Sequence, residues 1–242
     1  MKKLIICFLI AVMIVSGIYM FKDKYNDYTE EKKYKNMNNS YITYGTNKKK
    51  NEKTNKKEKS EKTQTFNYDG LKKKNKDAVG WIYCKDVMSF PLVKCSDNNY
   101  YLTHNALREN VSFGAIFLDY RTTFKNKNCI IYGHNIKGRQ MFGILLNYMD
   151  YSYAKSHNVF YVYDKSVRYK YKLISVRLTK DESSDYLIGF ANDEQFGKWK
   201  RDITKTNYYK SSSVNSNKVI TLSTCYSDDA KTKLVLHLEK IN

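Results

Sequence analysis

Hydrophobic positions fall into three regimes along the chain. Residues 4–21, LIICFLIAVMIVSGIYMF, form one unbroken apolar block of eighteen residues. Residues 22–65 carry almost no aliphatic side chains. From Phe66 onward, short runs of Tyr, Phe, Ile, Val and Leu alternate with polar turns. The last regime carries most of the predicted elements. GWIYC, SFPLVKC, AIFLDY, NCIIYGH, VFYVYD, VRYKYKLISVRL, KVITLST and TKLVLHL show the period-two alternation or short β-branched runs of half-buried strands. The single proline, Pro91, lies in the second of these runs. Because proline cannot donate to a ladder, that strand is expected at an edge, or to begin at the proline.

Helical spacing is sparser. YDGLKKKNKDAV reads as a short helix leading into the first strand, DNNYYLTHNAL as a second and MFGILLNYM as a third. One longer helix is predicted in ANDEQFGKWKRDITKTN, where Phe196, Trp199 and Ile203 stand at i, i+3 and i+7 on an otherwise charged segment. That stripe fits docking onto a sheet. About eight short strands with few helices point to a mostly β fold, a closed or nearly closed barrel.

Composition changes the picture chiefly at the N-terminus. Eighteen uncharged residues reach across most of a hydrocarbon core of ~30 Å at the rise of a helix. Lys2 and Lys3 precede the block, and SGIYMFKDK offers no small-residue cleavage site, so residues 1–21 read as an uncleaved membrane anchor. Residues 22–65 hold 13 Lys against seven Asp plus Glu and read as a linker or stalk, leaving 66–242 as the folded domain. Basic residues after the block outnumber those before it, which by itself would place the C-terminus inside. The net charge of +19 is spread over stalk and domain without a nucleic-acid motif, so no nucleic-acid partner is expected. Five cysteines without a C-x-x-C pair, and histidines without ligand spacing, indicate neither a metal site nor a cofactor. Cys84 and Cys95 flank a hairpin and could bridge, or each could pack in the core.

The chemistry-bearing candidates are a thiol and an imidazole. Cys225 sits at the end of the run VITLSTC, just before a polar turn, where a nucleophile can stand at the lip of a sheet. A free thiol has a pKa of about 8.5 and needs a base or cation beside it to act at neutral pH. Of the four histidines, His104 and His157 fall in polar surface contexts and His237 inside the last strand. His134 leaves the end of CIIYGHN next to Gly133, where the ring can project. In TKLVLHL, Leu234, Leu236 and Leu238 share one face; Lys233, Val235 and His237 share the other. Lys233 is therefore placed to reach the site of Cys225.

These residues carry a resemblance. TLSTC at 221–225 with YGHN at 132–135, together with WIYCKDVMSFPLVKCSDNNYYL, GAIFLDYR and the helix before the final strands, is similar to the class B sortases, membrane-anchored cysteine transpeptidases of Gram-positive bacteria. The likeness covers nearly all of residues 68–241. It implies an eight-stranded sortase-type β-barrel with an N-terminal helix and one longer helix inserted before the last two strands. It places the domain outside a single-pass anchor in the cell membrane. It further implies that Cys225 attacks the carbonyl after a threonine in a sorting motif of secreted proteins, and that His134 moves protons to the departing and from the incoming amine. That amine would belong to a peptidoglycan precursor. Asn98, Leu102, Ser223 and Thr224 match positions that contact the sorting motif, while Asp119 could orient a neighbour or serve as a structural carboxylate.

The chain departs from the family pattern at the third catalytic position. An arginine is expected there; aligning DDA offers Lys231, and strand parity offers Lys233. An ammonium is a compact point charge without the planar fork of a guanidinium, so reduced activity is expected. A catalytically weak or inactive wall- or protein-binding module is the alternative. A different Cys/His acyl transferase of the wall, of the L,D-transpeptidase type, is disfavoured because Ser223 and Thr224 precede Cys225 in place of its S-H-G-C context.

Overall fold

A computed structural model of the chain describes residues 2–46, 62–136, 138, 140–205, 208–212, 216–226 and 231–241. Residues 1–40 and 41–242 form two compact units. The first is helix α1, Lys2–Tyr41, whose N-terminal part is long and apolar enough to cross a membrane. The helix continues well past the apolar block, and two paired strands follow it, β1 (Ile42–Thr46) and β2 (Lys62–Phe66). Of the stretch expected as a linker, only residues 47–61 lie outside the described residues. Ile42 and Phe66 explain the difference: both are buried, and the Phe66 ring centroid lies 5.2 Å from Trp81 and 5.7 Å from Tyr163.

After helix α2 (Tyr68–Lys74), capped by Asn67 accepting from Gly70 N, the barrel begins. Its strands are β3 (Ala78–Cys84), β4 (Met88–Val93), β5 (Ile116–Leu118), β6 (Asn128–Tyr132), β9 (Val159–Asp164), β10 (Val167–Lys180), β12 (Val219–Cys225) and β13 (Thr232–Lys240). The order runs β10-β13-β12-β6-β5-β4-β3-β9, and β9 pairs back onto β10, closing an eight-stranded barrel. A short β11 (Tyr209–Lys210) extends the sheet from β10, and β7 (Asn135–Ile136) pairs with β8 (Gln140–Met141) outside it. Most pairs are antiparallel; β12–β6 and β4–β5 are parallel.

Pro91 lies inside the closed barrel, which differs from the edge position expected of it. Pro91 faces Trp81 of β3, while pairing with β5 starts only at Leu92, so the missing donor interrupts no ladder on that side. Two helical expectations also contract. DNNYYL keeps only a 3-10 turn at Tyr100–Leu102, and the MFGILLNYM region is a 3-10 helix, Phe142–Met149, followed by α3, Tyr151–Ser156. Both segments are short and pinned by side chains of the barrel, a setting in which tight i→i+3 turns persist.

The inserted helix, α4 (Asp193–Asp202), is where expectation and structure agree most closely. Asn192 caps it, Asp193 and Glu194 occupy its first turn, and Lys200 and Arg201 its last. Phe196, Trp199 and Ile203 pack with Ile174, Val219 and Phe190 on the outside of the barrel wall. Lys200 Nζ, 2.6 Å from the buried Glu239 carboxylate, fastens the helix to β13. As a result β13 is buried on both faces: Leu234, Leu236 and Leu238 on one, Val235, His237 and Glu239 on the other.

Candidate active site

Cys225 ends β12 and is half-buried. Its strand neighbour on one side is β13, where the antiparallel register sets Cys225 opposite Lys233. The parity argument is thus realised in space, because Lys233 Nζ lies 3.4 Å from Cys225 Sγ. The same ammonium lies 3.3 Å from Oδ1 of Asp181, just beyond the end of β10. The Lys233 side chain is 16% exposed and that of Asp181 63%, so the ammonium is largely enclosed while its carboxylate faces water.

On the other side of β12 is β6, in parallel register with Ser223 beside Tyr132. Gly133 N donates to Ser223 O at 3.2 Å, which carries the pairing one step beyond the strand. His134 follows directly, on the same side of β12 from which β6 approaches Cys225. The imidazole is held by the loop across from it. Its Nε2 is 2.8 Å from Leu102 O, and Gly114, at φ +59°, brings backbone so close that a Cβ would stand 3.1 Å from His134 Cδ2. A Cβ on Gly133 would meet Ile116 and the Phe142 ring at 2.4 and 2.7 Å, so the glycine before the histidine is required by packing. A carbonyl only accepts, so Nε2 carries a proton and Nδ1 is the nitrogen left to exchange one.

Three adjacent strand ends thus present an imidazole, a thiol and an ammonium in the order β6, β12, β13. A sortase-domain family model matches residues 88–241. The chain belongs to the sortase family. Sortase B of Listeria monocytogenes is 36% identical over 160 residues, an alignment that covers 64% of this chain and 65% of that relative's length. Sortase B from B. anthracis, solved in complex with AAEK1, superposes with a TM-score of 0.73 at 28% identity, covering 90% of this chain and 98% of that one. The Staphylococcus aureus sortase B–substrate complex superposes at 0.67 with 27% identity, covering 72% and 84%. Its structural neighbours place this sortase with class B.

The residues expected to line a substrate groove divide. Cys225, Ser223 and Thr221 share the face of β12 that lies under the insertion, since they pair with Lys233, Val235 and His237. Ser223 Oγ is 2.8 Å from the Tyr186 hydroxyl, and the Tyr186 ring stacks on Tyr132 with centroids 6.4 Å apart. Thr224 alternates to the opposite face, where it is buried and its hydroxyl has no hydrogen-bond partner among the described residues. The structure therefore does not bring the Thr224 side chain to Cys225. Leu102 is 36% exposed and contributes its carbonyl to His134. Asn98 bridges Asp119 Oδ2 and Tyr120 N at 3.1 and 3.0 Å. Asp119 is fully buried and takes a bidentate contact from Arg121 and a hydrogen bond from Tyr132. Burial works to raise the Asp119 pKa, but the Arg121 and Asn98 donors prevail and hold it below the usual carboxylate value. It braces Tyr132, the last residue of β6, two positions before His134. Tyr186 and Asp181 went unpredicted, because nothing in SDYLIGF or KDES announces a partner far along the chain.

The remaining thiols and histidines are occupied elsewhere. Burial pushes the Cys84 thiol up to about 11 and that of Cys129 up to about 12. Cys84 pairs with Met88 at the turn of its hairpin, whereas Cys95 lies past Val93, the partner of Ala78. About 20 Å of strand separates them, and both are free thiols. His104 stacks on Tyr100, and His157 bonds Tyr153 O. His237 is sealed inside a polar network: Nε2 is 3.0 Å from Asp185 Oδ1 and Nδ1 3.0 Å from Thr221 Oγ1, itself 2.8 Å from Asn128 Oδ1. Among the described residues no group of three or more His, Cys, Asp or Glu is placed to hold a metal ion.

Proposed function

We propose that this sortase is a cysteine transpeptidase that cleaves a C-terminal sorting motif of secreted proteins after threonine and transfers the protein to a peptidoglycan amine. One observation supports this above all: half-buried Cys225 has Lys233 3.4 Å away on the β13 side, while on its other side runs β6, the strand that leads into His134. The thiolate adds to the threonine carbonyl, and the charge that develops on oxygen falls beside the Lys233 ammonium. His134, through Nδ1, protonates the departing amine, leaving a thioester on Cys225. It then accepts the proton of the incoming amine as the amide forms.

Asn98, Leu102 and Ser223 are the side chains proposed to contact the motif, with Tyr186 holding Ser223. The N-terminal part of α1 is proposed as a single-pass anchor that leaves the barrel on the outer side of the cell membrane. A second reading is favoured by Lys233 standing where the family resemblance calls for arginine: a weak or inactive sortase-like module that binds wall or protein. Mass spectrometry of the purified chain incubated with a library of threonine-containing sorting peptides separates the two. The enzyme reading expects a peptide-acyl mass on Cys225 that an added amine discharges; a folded domain with no adduct supports the binding module.

A further inference from the structure

We propose that Lys233 is itself an acyl acceptor, so that an acyl group on Cys225 migrates to the Lys233 side chain and the protein becomes joined to its own product by an isopeptide bond. The inference rests on the reading of Cys225 as the nucleophile. It follows from what stands at this position. A guanidinium next to the thioester can only donate hydrogen bonds, whereas a lysine that gives up its proton is an amine nucleophile. Nζ is 3.4 Å from Sγ, and the carbonyl carbon of a thioester is one bond from that sulfur. A rotation about the bonds to sulfur therefore suffices to bring that carbon within attacking distance of nitrogen, the proximity in which effective molarities are very large.

The step balances. Neutral Nζ adds to the thioester carbonyl; the C–N bond forms, the C–S bond breaks, and the pair in that bond leaves on Cys225 as thiolate. The proton shed by nitrogen neutralises the thiolate. Sulfur-to-nitrogen transfer runs downhill because an amide is more stable than a thioester. Two features of the site set its rate. The paired strands β12 and β13 hold Cys225 and Lys233 in register, so no loop has to close. Asp181, 3.3 Å from Nζ, pairs with the lysine and competes with its approach to the acyl group, which leaves time for an external amine. Fully 63% of the Asp181 side chain is exposed, so water weakens that restraint.

The test uses the full chain and an acyl donor that needs no sorting motif. S-phenyl thioacetate acylates an accessible thiol by exchange, and neutral hydroxylamine cleaves thioesters while leaving amides intact. Peptide-level mass spectrometry is expected to find a hydroxylamine-sensitive acetyl on Cys225 at early times, replaced by a resistant acetyl on Lys233. Its yield should exceed that on the exposed Lys165 and Lys180 by roughly tenfold or more. In Lys233→Arg the Cys225 thioester, in whatever amount it forms, should persist without passing to an amide, and Cys225→Ala should lose both. A thioester on Cys225 with Lys233 no more acetylated than Lys180 would overturn this inference and leave the nucleophile standing. Lys233 acetylation undiminished in Cys225→Ala would overturn the passage through sulfur. The absence of any Cys225 thioester would remove the nucleophile, and this inference with it.

Discussion

Two histidine-centred clusters lie on the same face of β12, and they have opposite characters. Around His237 the polar groups are closely engaged: Asp185 is 3.0 Å from the ring and 3.5 Å from Arg177 Nε, Thr179 and Ser183 donate to its other oxygen at 2.6 and 2.9 Å, and Asn128 ties two carbonyls of the insertion. All of Asp185, Thr221, Asn128 and His237 are fully buried. Around Cys225, by contrast, the thiol is half exposed, His134 has one nitrogen engaged, and the Lys233 ammonium is shared between sulfur and an exposed carboxylate. The same residue type, histidine, is thus sealed as a rivet in one place and left with a free nitrogen beside a thiol's strand in the other. Spare hydrogen-bonding capacity and access to substrate make the difference, not the presence of an imidazole.

Substitutions can break or sharpen this contrast. Cys225→Ala should abolish acyl-enzyme formation entirely while leaving the melting temperature unchanged, which mass spectrometry and calorimetry would establish together. His134→Ala should lower kcat/KM by about 10²–10⁴-fold with the fold intact, whereas His237→Ala should act on stability first. Asp185→Asn should cost about 3–5 kcal/mol in chemical denaturation, since it strips the charge from a buried, fully bonded group.

The same carboxylate sets a pH dependence. Burial works to raise the Asp185 pKa, but His237, the Thr179 hydrogen bond and the Arg177 charge together outweigh it and carry the folded value well below 3.8. A depressed carboxylate stabilises the fold above its unfolded pKa, and the contribution is lost as pH falls through the folded value. The stability gap between the native chain and Asp185→Asn should therefore be full at neutral pH and begin to shrink as pH drops below about 3.8.

At the reagent cluster, Lys233→Met should reduce turnover by about 10²–10³-fold by removing the charge facing the developing oxyanion, while Lys233→Arg should equal or exceed the native rate. No gain from arginine on hydrolysis of a quenched sorting peptide would count against the oxyanion role of this position. Tyr186→Phe removes one hydrogen bond to Ser223 and should shift KM by the equivalent of about 1 kcal/mol, the smallest change of the series.

Much of this was readable in the chain order. Alternation gave the strands, the i, i+3, i+7 spacing of Phe196, Trp199 and Ile203 gave α4 and its docking face, and TLSTC with YGHN gave the thiol and the imidazole. The count from Cys225 with LVLH kept in register pointed to Lys233, which the strand pairing sets opposite the cysteine. These are local signals, because a strand or an amphipathic helix is written in the spacing of neighbouring side chains.

What the sequence determined by itself, then, is the alternation, the order of elements and the residues able to do chemistry. Tertiary structure decided who meets whom. Burial of both faces of β13 depends on an insertion folding over it, and Thr224 turns inward because the register with Lys233 claims Cys225 for the groove. Asp181 reaches the ammonium across 52 residues of chain, from the end of one strand to the start of another. The β1–β2 pair took structure that composition did not predict: Ile42 and Phe66 pair and are buried, and Phe66 lies against Trp81 and Tyr163 of distant strands. Distance along the chain carries no record of these encounters; closure of the barrel creates them.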